Sequence, residues 1–393
     1  MTPGKTLLFI TADGCHACTW QAGKLSAATH FPCGNEGQAA FKTYVQRRRN
    51  PAIILADLIE EDFRHETLPP MRRGEASSLM RRKLEQYYRS TPFRHAEALR
   101  RHKGGRSSTE ALFSAITNPA HITPWLNPLL EHDTPLGGIY SVPGISTPLI
   151  KGLPESRLLL LSWEQCAGLR QSYFDCGQLR LSRLTPMGDQ ASFGATVETE
   201  APRLQQYLNN MSLLPPDSPL NVYIICHTDD RRRLEAQLHE STFLRYHYLD
   251  IQQLGRLVGA ETTHLTSDAT PLFMHLCASH QTHAHYANTE HTRFLRLSRV
   301  RRWLSGLSAA TAAICLLWSA ANLASATRLN GNTHALNDQA GLVEQQARQI
   351  TQDFPLRLAP ASHMKHAVLL ARKLERHSPP PQTILGGLSG VLD

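Results

Sequence analysis

The sequence has few aromatic and few charged side chains. Of its 393 residues, 7% are aromatic and 19% are charged, whereas 41% are apolar. Extensive disorder requires the opposite balance, with low hydrophobicity and high net charge. The composition therefore excludes a largely disordered chain and predicts a packed core, and the length indicates two or three domains.

The sequence also lacks the motifs that most often identify an enzyme. It contains no GxxxxGK[ST], HExxH, GxSxG or GxGxxG pattern. These patterns supply phosphate-binding amides, zinc-binding histidines, a nucleophilic serine or dinucleotide-binding glycines. We therefore predict no catalytic residue, no metal ligand and no cofactor.

The positive charge is concentrated in one short segment. The net charge is +8, but residues 1–292 carry 29 basic and 28 acidic residues. Five arginines without an acidic residue follow: Arg293, Arg296, Arg299, Arg301 and Arg302. Nucleic-acid binding needs basic residues over a broad surface, so we predict no nucleic-acid partner.

The segment after these arginines has almost no ionisable side chain. Residues 303–327 contain only Cys315, and a helix of this length spans about 37 Å, more than the ~30 Å hydrocarbon layer. Trp303 lies where an interfacial aromatic is expected, and the arginines mark the cytoplasmic side. We predict one transmembrane helix with a cytoplasmic N-terminus and a periplasmic C-terminus. A buried core helix is the alternative.

No cysteine follows the predicted span, and seven of the eight precede it. This distribution fits a reducing cytosol for the large N-terminal part. Cys15 and Cys18 have the CxxC spacing of redox sites. However, the β-branched and aromatic residues after Cys18 favour a strand, in which positions 15 and 18 face opposite sides. We interpret the pair as part of a hairpin.

A histidine-rich tract precedes the arginines. It comprises His275, Cys277, His280, His283, His285 and His291. Imidazole and thiolate bind borderline metals, but the spacing matches no established zinc motif and Glu290 is the only carboxylate nearby. We interpret the tract as a solvated, pH-sensitive connector and keep metal binding as an alternative.

The first 290 residues contain two halves of similar order. Each half begins with an apolar strand and a hairpin, followed by helix, buried strand, charged helix, strand and helix. Strands that alternate with helices predict an α/β domain. In this order the strand at 93–99 corresponds to the strand at 244–249. The predicted domains are two subdomains (1–150 and 151–290), a basic segment (291–302), the span (303–327) and a periplasmic helical region (328–393).

Beyond the span, residues of one helix face recur every three or four positions. They are Thr333, Leu336, Ala340, Val343, Ala347, Ile350 and Phe354. This heptad pattern predicts a helix that pairs with a second copy or a sister subunit as a coiled coil. An ordinary amphipathic helix on another surface is the alternative. A second helix is predicted at 362–377 and a last apolar turn at 384–392.

This order of segments resembles the L protein of type II secretion systems and the type IV pilus M and N proteins fused in one chain. The resemblance rests on the architecture and on stretches such as RLLLLSWEQCAGLRQSYFDCGQLRLSRLTP, residues 157–186. It implies a two-subdomain actin-like (ribonuclease H-like) cytoplasmic domain, one transmembrane helix and a periplasmic coiled-coil helix in the bacterial inner membrane. It also implies pilus or secretion platform proteins, including a secretion ATPase, as partners.

Actin-like nucleotide binding needs two glycine-bearing hairpins, usually with Asp-x-Gly in the turn after the first strand of each half. Asp13 and Gly14 are adjacent, and the corresponding turn at 164–168 does not fit. The spacing does occur at 175–177, but one turn later, where we interpret it as an ordinary turn. The sequence thus favours a non-enzymatic scaffold that links a cytoplasmic motor or adaptor to periplasmic subunits. A membrane-anchored actin-like ATPase and a membrane metal or redox sensor are the alternatives.

Overall fold

The computed structural model describes residues 4–48, 50–71, 73–101, 108–188, 192–215, 218–260, 266–280, 284–353 and 360–377. The chain divides into a compact unit, Met1–Leu304, and a second unit, Ser305–Asp393. The compact unit has mixed α/β structure, as predicted.

The first half of the compact unit contains strands β1 to β9 and helices α1 to α5. The strands are β1 (Lys5–Ile10), β2 (Gly14–Gln21), β3 (Lys24–Leu25), β4 (Thr29–Pro32), β5 (Ala52–Ala56), β6 (Glu61–Leu68), β7 (Arg94–Arg101), β8 (Thr109–Ile116) and β9 (Leu136–Ser141). The helices are α1 (Asn35–Gln46), α2 (Arg73–Tyr87), α3 (Thr123–Glu131), α4 (Val142–Ile145) and α5 (Thr147–Ile150).

The second half contains five strands and four helices within the described ranges. The strands are β10 (Arg157–Glu164), β11 (Gly168–Asp175), β12 (Gln178–Thr185), β13 (Leu220–Cys226) and β14 (Leu244–Asp250). The helices are α6 (Phe193–Asn210), α7 (Thr228–Gln237), α8 (Ile251–Leu257) and α9 (Thr270–Ser279).

Two sheets have the same strand order. The first is β3-β2-β1-β5-β9, with β4 also paired to β2, and the second is β12-β11-β10-β13-β14. In each, the hairpin strands pair antiparallel. The remaining pairs are parallel. The same arrangement of strands thus occurs twice, once in each half.

The central strands are buried on both faces, which explains their continuous apolar runs. One face of each sheet contributes to a core shared by the two halves, in which Leu7 and Phe9 join Leu158 and Leu160. The opposite face of the first sheet packs on side chains of α1 and α3. The opposite face of the second sheet packs on α6 and α7. Each sheet is thus covered on one face by the shared core and on the other face by helices.

The predicted correspondence of residues 93–99 with residues 244–249 is wrong. Strand β7 belongs to a separate sheet of order β6-β8-β7, and β9 takes the place in the first sheet that β14 has in the second. The sequence of β6, EDFRHETL, lacks an apolar alternation, and two glycines in β9 weaken its strand pattern. The hairpin of the first half continues into two short strands, β3 and β4, which pair with different ends of β2.

Two helices follow the compact fold. Helix α10 (Arg293–Asp353) has 61 residues, and α11 (Ala361–His377) agrees with the helix predicted at 362–377. An 18-residue window of α10 has a mean hydropathy of 1.6 and no buried residue, so the helix is long and apolar enough to cross a membrane. The apolar turn predicted at 384–392 lies outside the described residues.

Candidate functional site

Two hairpin turns, one from each half, meet at the surface of the shared core. The first turn, residues 11–13, joins β1 to β2, and the second turn, residues 165–167, joins β10 to β11. The Sγ atom of Cys166 lies 3.9 Å from Nδ1 of His16, so side chains of the two halves touch here. These are the two turns that the family resemblance relates to phosphate binding.

Each turn leads into a glycine that a neighbouring strand requires. A Cβ atom on Gly14 would lie 2.2 Å from the carbonyl oxygen of Phe31 in β4. A Cβ atom on Gly168 would lie 2.3 Å from the carbonyl oxygen of Thr185 at the end of β12. Strand pairing therefore accounts for both glycines without a bound phosphate.

The second turn already uses two of its backbone donors. The N–H of Gln165 donates to Oδ1 of Asp268 at 3.2 Å, and the N–H of Ala167 donates to the carbonyl oxygen of Glu164 at 2.9 Å. Asp268, just before α9, also accepts from the N–H and the hydroxyl of Thr270, at 3.0 and 2.6 Å. The carboxylate of Asp268 thus occupies the backbone donor of Gln165 in this turn.

The first turn gathers a carboxylate and two imidazoles. Asp13 accepts a hydrogen bond from the hydroxyl of Thr11. Its Oδ1 lies 3.8 Å from Nε2 of His16, and its Oδ2 lies 3.8 Å from Nε2 of His30. The two imidazole rings stack with 4.3 Å between their centroids. Burial lowers the pKa of His16 and the neighbouring His30 lowers it further, while Asp13 acts in the opposite direction.

A buried ion pair joins the two halves behind the turns. The Nε atom of Arg170 in β11 donates to Oδ1 of Asp57 at 2.7 Å, and its Nη2 donates to the carbonyl oxygen of Leu58 at 3.0 Å. Arg170 is 2% exposed and Asp57 is fully buried. Burial raises the pKa of Asp57, and the Arg170 guanidinium opposes that rise. Glu61 adds a second buried carboxylate, with its Oε2 atom 3.9 Å from Nη1 of Arg170. Since neither Arg170 nor Asp57 reaches water, loss of Asp57 would leave the guanidinium with a more distant counter-charge.

Glu164, the last residue of β10, adds a further carboxyl to this cluster. It is fully buried, and within the described part of the chain neither of its carboxyl oxygens has a hydrogen-bond partner. Burial raises the pKa of Glu164 well above its ordinary value, and Asp57 raises it further, while Ser162 and Arg170 act in the opposite direction. This environment favours the neutral acid, which is a poor ligand for a magnesium ion.

The hairpin interpretation of Cys15 and Cys18 is confirmed. Both are buried in β2, and they face different cores, Cys15 that of α1 and α3 and Cys18 the shared one. Burial raises the pKa of Cys15 well above its ordinary value and that of Cys18 to about 12. Thiol exchange needs a thiolate, so these two groups lack the form that redox chemistry uses.

The turn at 175–177 is an ordinary hairpin turn, as predicted. Cys176 has a φ of 51° there, and Ala22 has a φ of 49° in the matching turn between β2 and β3. In both turns a glycine with positive φ follows, which is the pattern of a type I′ turn between antiparallel strands.

The prediction of a solvated histidine tract is wrong for Cys277 and for two of the histidines. Nδ1 of His275 accepts from Nε1 of Trp20 at 3.2 Å, and its Nε2 lies 3.1 Å from the carbonyl oxygen of Val258. His275 is 2% exposed, and His291 is 8% exposed and packs against Phe93. Both are core histidines with structural contacts.

The rest of the tract is dispersed. Cys277 is buried in α9, and His280 is exposed and bonded to Ser279. His283 lies outside the described residues. Among those described, no group of three potential metal ligands occurs in this tract.

The predicted anchor and seam residues all belong to α10, apart from Phe354, which lies outside the described residues. The anchor residues are Arg293, Arg296, Arg299, Arg301, Arg302 and Trp303. The seam residues are Leu336, Ala340, Val343, Ala347 and Ile350, and every one is exposed. The membrane and coiled-coil roles of these residues remain predictions.

Sequence reasoning missed four residues of the site: His30, Asp57, Arg170 and Asp268. A signal existed for Arg170, because it follows Leu169 in a strand that also contains Tyr173 and Phe174, and an inward-facing arginine needs a buried partner. The others had none, because their importance depends on contacts across 14 to 113 positions of sequence.

No protein-family model and no curated protein matches the chain. Among solved structures, the chain is similar to a PilM–PilN type IV pilus biogenesis complex, with 11% identity over 69% of this chain and 96% of that one, at a TM-score of 0.43. It is also similar to the cytoplasmic domain of EpsL, an inner-membrane component of the type II secretion system of Vibrio cholerae. That likeness has 10% identity over 70% and 93% of the two chains, at a TM-score of 0.36.

A third similar structure is a Bacteroides thetaiotaomicron protein of unknown function with an actin-like ATPase fold. It shares 12% identity over 65% of this chain and 95% of that one, at a TM-score of 0.37. The pilus and secretion proteins among these likenesses are of the kinds that the sequence resembles.

Proposed function

We propose that the protein is a non-enzymatic inner-membrane scaffold of a type IV pilus or type II secretion assembly platform. Its compact unit would dock a cytoplasmic motor or adaptor, and the end of α10 would pair with periplasmic subunits. The proposal rests on the resemblance in sequence, on the strand order that occurs in both sheets, and on helix α10, whose apolar segment follows a cluster of arginines.

The non-enzymatic part of the proposal rests on a hydrogen bond and a contact that the second turn makes within the protein. Its Gln165 amide is bonded to Asp268, and its Cys166 touches His16 of the first turn. A nucleotide phosphate would have to displace Asp268 and separate the turns. The buried Arg170–Asp57 pair also ties the halves together, which opposes the opening that admits a nucleotide between two lobes.

The membrane part of the proposal rests on the order of charge and hydropathy in α10. Arginines at 293–302 would hold the N-terminal side of the helix in the cytoplasm. An alkaline phosphatase fusion, active only in the periplasm, should be active after Asp393 and inactive in a truncated fusion after Glu290. The reverse pattern would exclude the proposed orientation.

The function itself is tested by deletion and complementation in the host bacterium, together with ATP calorimetry on the purified full chain. We expect deletion to abolish surface pili or protein secretion, and the full chain to restore them. We expect no heat of magnesium-dependent ATP binding in the micromolar range. Normal pili and secretion in the deletion strain would reject the platform role, and micromolar ATP binding would favour an actin-like ATPase.

A further inference from the structure

We propose that the first turn binds one divalent transition-metal ion, of the class of zinc, through Asp13, His16 and His30. The strand register brings the three together. His16 in β2 lies directly opposite His30 in β4, and Asp13 immediately precedes β2. Residues paired across two strands project from the same face, so both imidazoles reach the carboxylate.

The distances suit a single ion after small side-chain rotations. Candidate ligand atoms of the three residues lie within 4.8 Å of one another, and each imidazole Nε2 is 3.8 Å from an oxygen of Asp13. Two ligands of one tetrahedral zinc ion, each 2.0–2.1 Å from the metal, are about 3.3 Å apart. The side chains of Asp13 and His30 are 52% and 43% exposed, so they are free to close this difference and solvent can deliver the ion.

A buried ring nitrogen of His16 also supports metal binding. Nε2 of His16 is buried and, among the described residues, has no hydrogen-bond partner, although it faces Asp13. A metal ion would satisfy this lone pair. Two imidazoles with one carboxylate match zinc, cobalt(II) or nickel(II), whereas magnesium and calcium prefer oxygen ligands alone.

The second half would hold the ring of His16 in place. With metal on Nε2, the proton of a neutral imidazole is on Nδ1, which faces Sγ of Cys166 at 3.9 Å. Cys166 is thus a positioning residue rather than a ligand. Since it belongs to the second turn, a bound ion would also stiffen the contact between the halves.

The test uses the full chain in detergent after EDTA has removed bound metal. Cobalt(II) is titrated in, its binding is measured by its visible absorption, and zinc is then added as a competitor. We expect one ion per chain, and loss of the spectrum in Asp13→Asn and in His30→Gln. His30 is partly exposed, so that variant should fold, which far-ultraviolet circular dichroism can check. His121→Gln is the matched control, because it breaks another histidine–carboxylate pair, to Glu60 at 3.2 Å, and should keep wild-type affinity.

The variant Cys166→Ala tests the positioning role, with an expected loss of affinity of about tenfold. Absence of a stoichiometric ion in the wild type would overturn the site. Unchanged affinity in His30→Gln would overturn it too, because the ion would then lie elsewhere. Both readouts are independent of pilus assembly and secretion, so failure here leaves the scaffold proposal standing.

Discussion

The two hairpin turns share the position of a glycine and differ in their chemistry. Each leads into a glycine that meets a strand carbonyl, Gly14 that of Phe31 and Gly168 that of Thr185. At the first turn the carboxylate is half-exposed and faces two imidazoles, whereas at the second Glu164 is fully buried. The comparison teaches that strand pairing alone keeps a glycine in such a turn, so the glycines are no evidence of phosphate binding. The side chains around each turn decide its chemistry.

The largest expected effect comes from the ion pair behind the turns. Asp57→Ala would leave the buried Arg170 guanidinium with the more distant Glu61 carboxylate, 3.9 Å from its Nη1, as counter-charge, and should reduce the free energy of unfolding by about 3 kcal/mol. Denaturant unfolding of the full chain in detergent measures this. Glu235→Ala, which removes an exposed pair with Arg231 in α7, is the control, with an expected loss of about 0.5 kcal/mol or less. Equal losses in the two variants would show that the halves are not joined by this pair.

The next prediction tests the glycine that each turn leads into. Gly14→Ala and Gly168→Ala each place a Cβ against a carbonyl oxygen, and each should lower the free energy of unfolding by about 2–3 kcal/mol. Gly177→Ala is the matched control. It also has positive φ, but its Cβ would meet nothing within 4 Å, so about 1 kcal/mol is expected. A Gly14 or Gly168 variant as stable as Gly177→Ala would contradict the close approach.

The pH dependence of stability tests the buried carboxyl group that distinguishes the second turn from the first. Burial raises the pKa of Glu164 in the fold above its unfolded value, so the folded state holds a proton that the unfolded state releases as pH rises above about 4.5. This contribution to stability is complete below that pH and is lost as pH rises towards the folded pKa, at up to about 1.4 kcal/mol per pH unit. Glu164→Gln should lack this loss, so its stability relative to wild type should increase between pH 5 and pH 8. A constant difference over that range would place Glu164 in a wetter environment.

The smallest expected effect concerns the association of two copies of the chain through α10. If α10 pairs through its seam, Val343→Asp with Ile350→Asp would place like charges across it and abolish disulfide crosslinking of Leu336→Cys in membranes. Burial of a Val or Ile side chain contributes roughly 1.5–3 kcal/mol before ordering costs, so the association should be weak. Gln345→Asp with Gln352→Asp, away from the seam, should leave crosslinking intact. Crosslinking that survives both double changes would mean that α10 pairs through another face.

Local pattern made much of the fold predictable. The apolar runs of β1 and β10 predict central strands. The β-branched and aromatic residues after Cys18 predict that both cysteines lie in a hairpin strand. The three-stranded sheet was not predictable in the same way. Strand β6 is polar along most of its length because that sheet has only a small core, around Tyr88 and Phe113. A strand with little apolar surface to bury carries little alternation in its sequence.

The sequence by itself determined the two-half order, the cysteine environment and the long apolar helix, because each depends on the spacing of apolar residues along a few turns or strands. Only the tertiary structure decided the site. Asp57 meets Arg170 across 113 positions, and His16 meets Cys166 across 150. Burial and sheet register decide which polar side chains become partners, and neither can be predicted from the local sequence pattern.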